Sequence, residues 1–286
     1  MVRGRTLYAM LAATLAWGAN ASHAAAPSKD AERGPASRLE RPSEITRAAV
    51  DELLDLSGLK ARLATIAAGL RAQLHYSGLT PQEHATVERV AARYLGAEML
   101  YARTRLAVGS AVNVATATAA LEWYRSPLGR RVVEAELDVP PGSPPVVMEP
   151  PSAERLVLIE RIDEAGGASE AALDITMILA RSLARAADQI LPVHERLGPE
   201  RLEQRIAGAR FAAFAEARRA CFVNMLVAYR GLADAELAAY VRWVESSPGR
   251  WFIEALNRAI VDAVSLGAEL AAVELVTFLP QTVRDR

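Results

Sequence analysis

Apolar residues recur along most of this chain at three- and four-residue steps, the period of an amphipathic helix. Ile45, Ala49, Leu53 and Leu56 share one face, and Ser57-Gly58 breaks it. Leu59, Leu63, Ile66, Leu70 and Leu74 then repeat at the same spacing. Thr80-Pro-Gln-Glu83 combines an N-cap, a first-turn proline and a glutamate placed to close a capping box. Val87, Val90, Tyr94 and Leu95 carry that helix toward Tyr101 and Leu106, and the turn at Val108 to Ser110 ends it. A helix bearing Ala117, Ala120, Leu121 and Tyr124 leads into Ser126-Pro127, and another continues to about Leu137.

The later half reads the same way. One helix runs from Ser152 to Ala165, and Gly166-Gly167 breaks the chain before Leu173, Met177, Leu179 and Leu183. A long helix follows from Pro199 with Leu202, Ile206, Phe211, Phe214, Phe222 and Leu226 on its stripe. Asp234 is placed to cap the helix of Leu237, Val241 and Val244. Phe252, Leu256, Ile260, Val264 and Leu270 line a last helix that ends near Pro280. No segment alternates in the manner of a strand, so the predicted fold class is all-α and multi-helix.

Shifting the sequence by 120 positions lays Trp123 on Trp243, Ser126 on Ser246, Gly129 on Gly249 and Arg130 on Arg250. The chain therefore reads as two diverged helical repeats, each with a helix, a Ser/Pro corner and a second helix. In the first corner Ser126 suits an N-cap and Pro127 the first turn, where no N–H is required. Gly129 costs about 1 kcal/mol against Ala inside a helix, which signals a close backbone approach. In the second corner Ser247-Pro248-Gly249-Arg250 reads as the same turn, one residue tighter.

The Leu53-Leu54…Ser57-Gly58-Leu59 helix start, followed by Tyr124, Ser126, Pro127, Gly129 and Arg130, resembles the secreted bacterial family called domain of unknown function 2059. The likeness covers roughly Ser43 to Leu137, and Ser152 to Leu270 less well. Ile162-Asp-Glu-Ala-Gly166 replaces the Leu-Leu-x-x-Ser-Gly element there, and Ser-Pro-Gly-Arg lacks the spacer residue. The resemblance implies an exported all-α domain and supplies no activity or catalytic residue.

Met1 to Ala24 has the form of a secretory signal, with Arg3 and Arg5 before an apolar run from Thr6 to Trp17. Ala19-Asn-Ala21 and Ser22-His-Ala24 are both small-x-small cleavage sites, so cleavage is expected near Ala21 or Ala24. That run is shorter than the roughly 20 residues a spanning helix needs, and no later stretch is long enough. The expected location is the periplasm. Residues 25–42 read as a flexible tether, 43–138 as the first repeat and 152–280 as the second. Val139 to Ser152 holds six prolines, so residues 139–151 form a semi-rigid linker or a surface loop of one fused domain.

Composition narrows the chemistry. The 286 residues are 51% apolar but only 6% aromatic, with a formal charge of -1, which leaves no basic footprint for nucleic acid. The one cysteine, Cys221, sits among apolar neighbours that favour burial. His75, His84 and His194 show no metal-ligand spacing, so no metal or cofactor is expected. Glu160, Asp163 and Glu164 read as an exposed acidic face. Arg130 and Arg250 fall in the first turn of a helix, where a cation is disfavoured. Each therefore needs a partner: a buried carboxylate of the protein, or an anionic ligand head group. Trp123, Tyr124 and Trp243 are core anchors or the walls of an apolar groove. Three functions follow in order: a non-enzymatic interaction module binding a cell-envelope protein, a carrier or sensor of an apolar or amphiphilic ligand, and an envelope hydrolase, for which no constellation exists.

Overall fold

The computed structural model describes residues 44–73, 80–111, 113–138, 150–191 and 193–284. The signal, the tether, most of the proline-rich segment, His75 and Pro192 lie outside them. Helix α1 (Glu44–Leu56) stops where Gly58 takes φ +70°, and α2 (Leu59–Gln73) starts directly beyond. The buried Ser57 hydroxyl donates to the Leu54 carbonyl at 2.8 Å, covering one of the carbonyls that a helix end orphans. Thr80 and Glu83 close the capping box of α3 (Pro81–Leu95), with the Glu83 carboxylate accepting from Thr80 N at 2.7 Å.

The single helix expected from Pro81 to Ser110 is two, α3 and α4 (Ala97–Ser110). Gly96 parts them with extended backbone at ψ 149°. A Cβ there would lie 2.4 Å from the Ala92 carbonyl oxygen, so the bend needs glycine. Then come α5 (Val114–Arg125), α6 (Pro127–Leu137), α7 (Ala153–Gly166) and α8 (Ala168–Ile190). Gly167, at φ +63°, separates α7 from α8 much as Gly58 separates α1 from α2. The chain ends with α9 (Pro199–Ala228), a 3-10 turn at Tyr229–Gly231, α10 (Asp234–Val244) and α11 (Ser247–Arg284). No strand occurs among the described residues, and the fold is all-α.

Packing explains several departures from the periodicity. Asp163 is not on an exposed acidic face: it is 7% exposed and accepts from Ser169 N at 2.9 Å and Ser169 Oγ at 2.6 Å. It thereby serves the first turn of α8, where a negative charge is favoured. Glu160 keeps to the surface and pairs with Arg218 at 2.6 Å. Asp234 does not cap α10. It lies at the first helical position and pairs with Arg155 at 2.5 Å, while Glu236 accepts from Ala233 N at 2.9 Å. Phe211 stands 76% exposed, because α9 meets α8 on the face of Leu202, Ile206 and Phe214. Cys221 is half-buried; burial pushes its thiol up, and a hydrogen bond with Ser169 works against that.

One core runs through both segments, from Val50, Leu53 and Leu54 of α1 to Phe252, Leu256 and Val264 of α11. Within it α5 packs on α1 and α10 on α7. The long helix α11 lies along α8 and crosses α3, α4 and α5. Arg103 fixes that crossing by donating from Nη1 to the carbonyls of Tyr94 (3.1 Å) and Ala263 (3.3 Å). Gly267 completes it, since a Cβ there would come within 2.6 Å of the Tyr94 carbonyl oxygen. Two smaller cores extend the molecule, one between α8 and α9 around Met177 and Ile206, the other between α3 and α11 around Val90 and Leu275.

Candidate functional site

The two corners are built alike. Helices α10 and α11 begin at Asp234 and Ser247, each 120 positions after the starts of α5 and α6 at Val114 and Pro127. Ser126 Oγ accepts from Gly129 N at 3.0 Å, and Ser246 Oγ accepts from Gly249 N at 3.2 Å. The cap of the second corner is therefore Ser246, not Ser247, and the turn is no tighter than the first. Pro127 occupies the first helical position of α6, while Pro248 sits one place later in α11. Neither position needs an N–H.

Both glycines face the carbonyl of a tryptophan in the last turn of the preceding helix. A Cβ on Gly129 would lie 2.2 Å from Trp123 O, and one on Gly249 2.0 Å from Trp243 O. The two indoles stack on each other, with ring centroids 3.8 Å apart and an interplanar angle of 15°. Trp243 is buried, and Trp123 is packed against the core without being fully enclosed. Tyr124 meets Trp243 edge-on at 5.4 Å and Phe252 at 5.3 Å, and Tyr240 stacks beyond Trp123 at 5.6 Å. The corner residues thus converge on an aromatic centre.

The arginines do not join it. Arg130 is exposed and its side chain has no ion-pair or hydrogen-bond partner among the described residues, so no buried carboxylate of these residues meets it. Its neighbour Arg131 pairs with Glu236 instead. Arg250, also exposed, donates to the Glu245 carbonyl at 3.2 Å. The side chains point into solvent from the first turn, where hydration offsets the unfavourable helix dipole.

Beside the aromatic stack lies a polar cluster of Glu136, Arg62, Tyr229 and Tyr240, none of them among the expected site residues. Glu136 of α6 takes an ion pair from Arg62 of α2, and its Oε1 accepts from the hydroxyls of Tyr229 (2.5 Å) and Tyr240 (3.1 Å). Arg62 Nε also donates to the Ser57 carbonyl at 3.1 Å. Arg155 of α7 steadies the turn that holds Tyr229 by donating to the carbonyls of Tyr229 and Leu232. Burial, with Glu136 as a negative neighbour, pushes Tyr229 and Tyr240 well above the ordinary tyrosine range. Burial also raises Tyr124. For Arg62 burial is the largest single influence and opposes the charge, yet Glu136 together with Tyr124, Tyr240 and Tyr229 holds the guanidinium above its usual range.

A signal for this cluster was present. Glu136 follows Val132 and Val133 by four and three positions, on the buried face of α6, and Arg62 lies between Leu59 and Ile66 on α2. A charge inside an apolar stripe calls for a partner.

Chemically the cluster is closed. Three donors converge on Glu136, and its side chain is 14% exposed. A cleft of about 170 Å³ lies between α1 and α4 at Arg47, Asp51, Arg105 and Leu106, and another of about 390 Å³ flanks the cluster at Arg131, Ala135, Asp138, Arg230 and Leu232. No group of three or more His, Cys, Asp or Glu among the described residues is placed to hold a metal, and no described helix is long and apolar enough to cross a membrane. No protein-family model matches the chain, and no match is found among curated proteins or solved structures.

Proposed function

We propose that this protein is an exported, non-enzymatic interaction module of the bacterial cell envelope, and that it docks a partner helix along α11. The observation that carries this reading is the row Leu266, Leu270 and Val273, spaced by four and three residues and 47%, 38% and 66% exposed. The opposite face of α11, at Val264, Ala268, Ala271 and Leu275, is already buried in the molecule. A helix apolar on both faces is a helix expecting a second contact. Asp262 and Glu269 are exposed beside the row, and neither has an ion-pair partner among the described residues. The fitting partner is an amphipathic helix whose apolar stripe is edged by Lys or Arg.

Leu266, Leu270 and Val273 line one helix face, while the clefts at Arg105 and at Arg131 are open and edged by charged residues, which favours docking over enclosure of a small ligand. Export rests on the Arg3-to-Ala24 signal pattern, and the likeness of residues 43–137 to domain of unknown function 2059 agrees with it.

A photo-crosslinking amino acid placed at Leu270 tests the reading in the producing cells. One discrete protein adduct, absent when the probe stands at Glu254 and lost on Leu266→Asp, is the expected result. Adducts equally frequent at both positions, or none at Leu270, would reject it. Cell fractionation of the same cultures checks export, since the mature chain must leave the cytoplasm.

A further inference from the structure

The 120-residue correspondence between the corners places equivalent residues against each other, because Trp123 stacks on Trp243. Contact between equivalent positions is the mark of a two-fold seam. Such a seam has two related flanks, and here they differ. On one flank stand Glu136, Tyr240 and Arg62. At the related positions on the other flank stand Leu256, Ala120 and Ala171, the last aligned through the left-handed Gly58 and Gly167. Leu256 and Ala120 are buried, so the second flank is an apolar version of the first.

We propose that this one-sided polar cluster selects the pairing of the two segments, residues 44–138 and 150–284, with Glu136 as the specificity-determining residue. The acceptor and the cation come from the first segment, while both tyrosyl donors come from the second. Two first segments paired through the same seam would bury Glu136 twice without either tyrosine. Two second segments would bury Tyr229 and Tyr240 against leucine and alanine, leaving hydroxyls unpaired. Buried polar groups that match in one combination alone set partner choice and register. The first segment therefore accepts the second segment of its own chain, or that of a second copy, and rejects another first segment.

The test uses the full chain with a protease site placed within residues 139–149 and cleaved after folding. The nicked protein is expected to elute as one species containing both segments. Unfolded in urea, refolded and examined by native mass spectrometry, it should return first–second pairs at least about tenfold over like pairs. Labelling one of two mixed nicked samples with heavy isotope should give all four first–second combinations. Tyr240→Phe should lower the preference over second–second pairs about fivefold, the worth of one hydrogen bond. Arg62→Ala with Glu136→Leu should let first–first pairs appear. Segments that separate on nicking, like pairs as abundant as unlike pairs, or a preference untouched by Tyr240→Phe would each overturn the proposal. If the double variant forms no pairs, the Tyr240→Phe ratio decides alone.

Discussion

At the scale of single residues, the corners are held by backbone geometry and the cluster beside them by charge. Gly249 leaves 2.0 Å where a methyl group would meet Trp243 O, and no side-chain movement can relieve a clash with backbone. Gly249→Ala should therefore cost about 1–3 kcal/mol or more, the scale of overpacking. Urea denaturation reads it, and a change near zero would mean that the corner relaxes. Ser126→Ala removes only a cap and should cost about 1 kcal/mol. Glu136→Ala leaves Arg62 without its carboxylate and two phenols without their acceptor. A third of the Arg62 side chain reaches solvent, so the low end of the range for a broken buried pair applies, about 3 kcal/mol. Arg131→Ala breaks an ion pair with both partners near the surface and should cost about 0–1 kcal/mol. Equal losses in these two variants would contradict the assignment of Glu136 as the hub.

At the scale of elements, what the sequence made legible is what local chemistry decides. The capping box at Thr80, the Ser126 cap and the breaks at Gly58 and Gly167 each depend on residues a few positions apart, and each lies where the pattern places it. Gly96 was invisible because α3 and α4 share one apolar period, and the bend depends on a carbonyl four residues back. Asp234 resembled a cap until a distant residue, Arg155, claimed its carboxylate. Leu270 belongs to the period of α11, yet the helix turns that position away from its neighbours. The polar cluster was the least legible part, since its four members come from α2, α6, α10 and a turn. Gly267 shows the same long-range logic and can be tested. Its missing Cβ lets the end of α3 rest on α11, so Gly267→Ala should prise α3 away. Hydrogen exchange should then quicken over residues 81–95 and stay slow over residues 114–137. Unchanged exchange in α3 would show that α3 does not depend on that contact.

At the scale of the whole molecule, the shared core makes the two segments thermodynamically one. Leu53 and Leu54 of the first and Phe252 and Val264 of the second belong to a single buried cluster, so neither segment can lose its packing while the other keeps its own. Urea unfolding should show one transition by tryptophan fluorescence and by helix signal alike. The pH dependence should carry the imprint of the seam. Tyr229 and Tyr240 hold their protons in the folded state well beyond the ordinary tyrosine value of 10.0, because burial and Glu136 disfavour the phenolate. Once the pH exceeds about 10 the unfolded chain binds fewer protons than the folded one, and stability falls as pH rises further. Below that range these groups add no slope, since both states are protonated. The urea midpoint should therefore stay level on their account up to about pH 9 and drop steeply by about pH 11. Tyr240→Phe lowers the midpoint at neutral pH by removing one hydrogen bond, yet it also removes one of the protons released on unfolding. Its curve should start lower and fall less steeply, converging on that of the wild type at high pH. Parallel curves would mean that the Tyr240 phenol ionises as readily in the folded protein as in the unfolded chain, and burial at the seam would then not be what holds its proton.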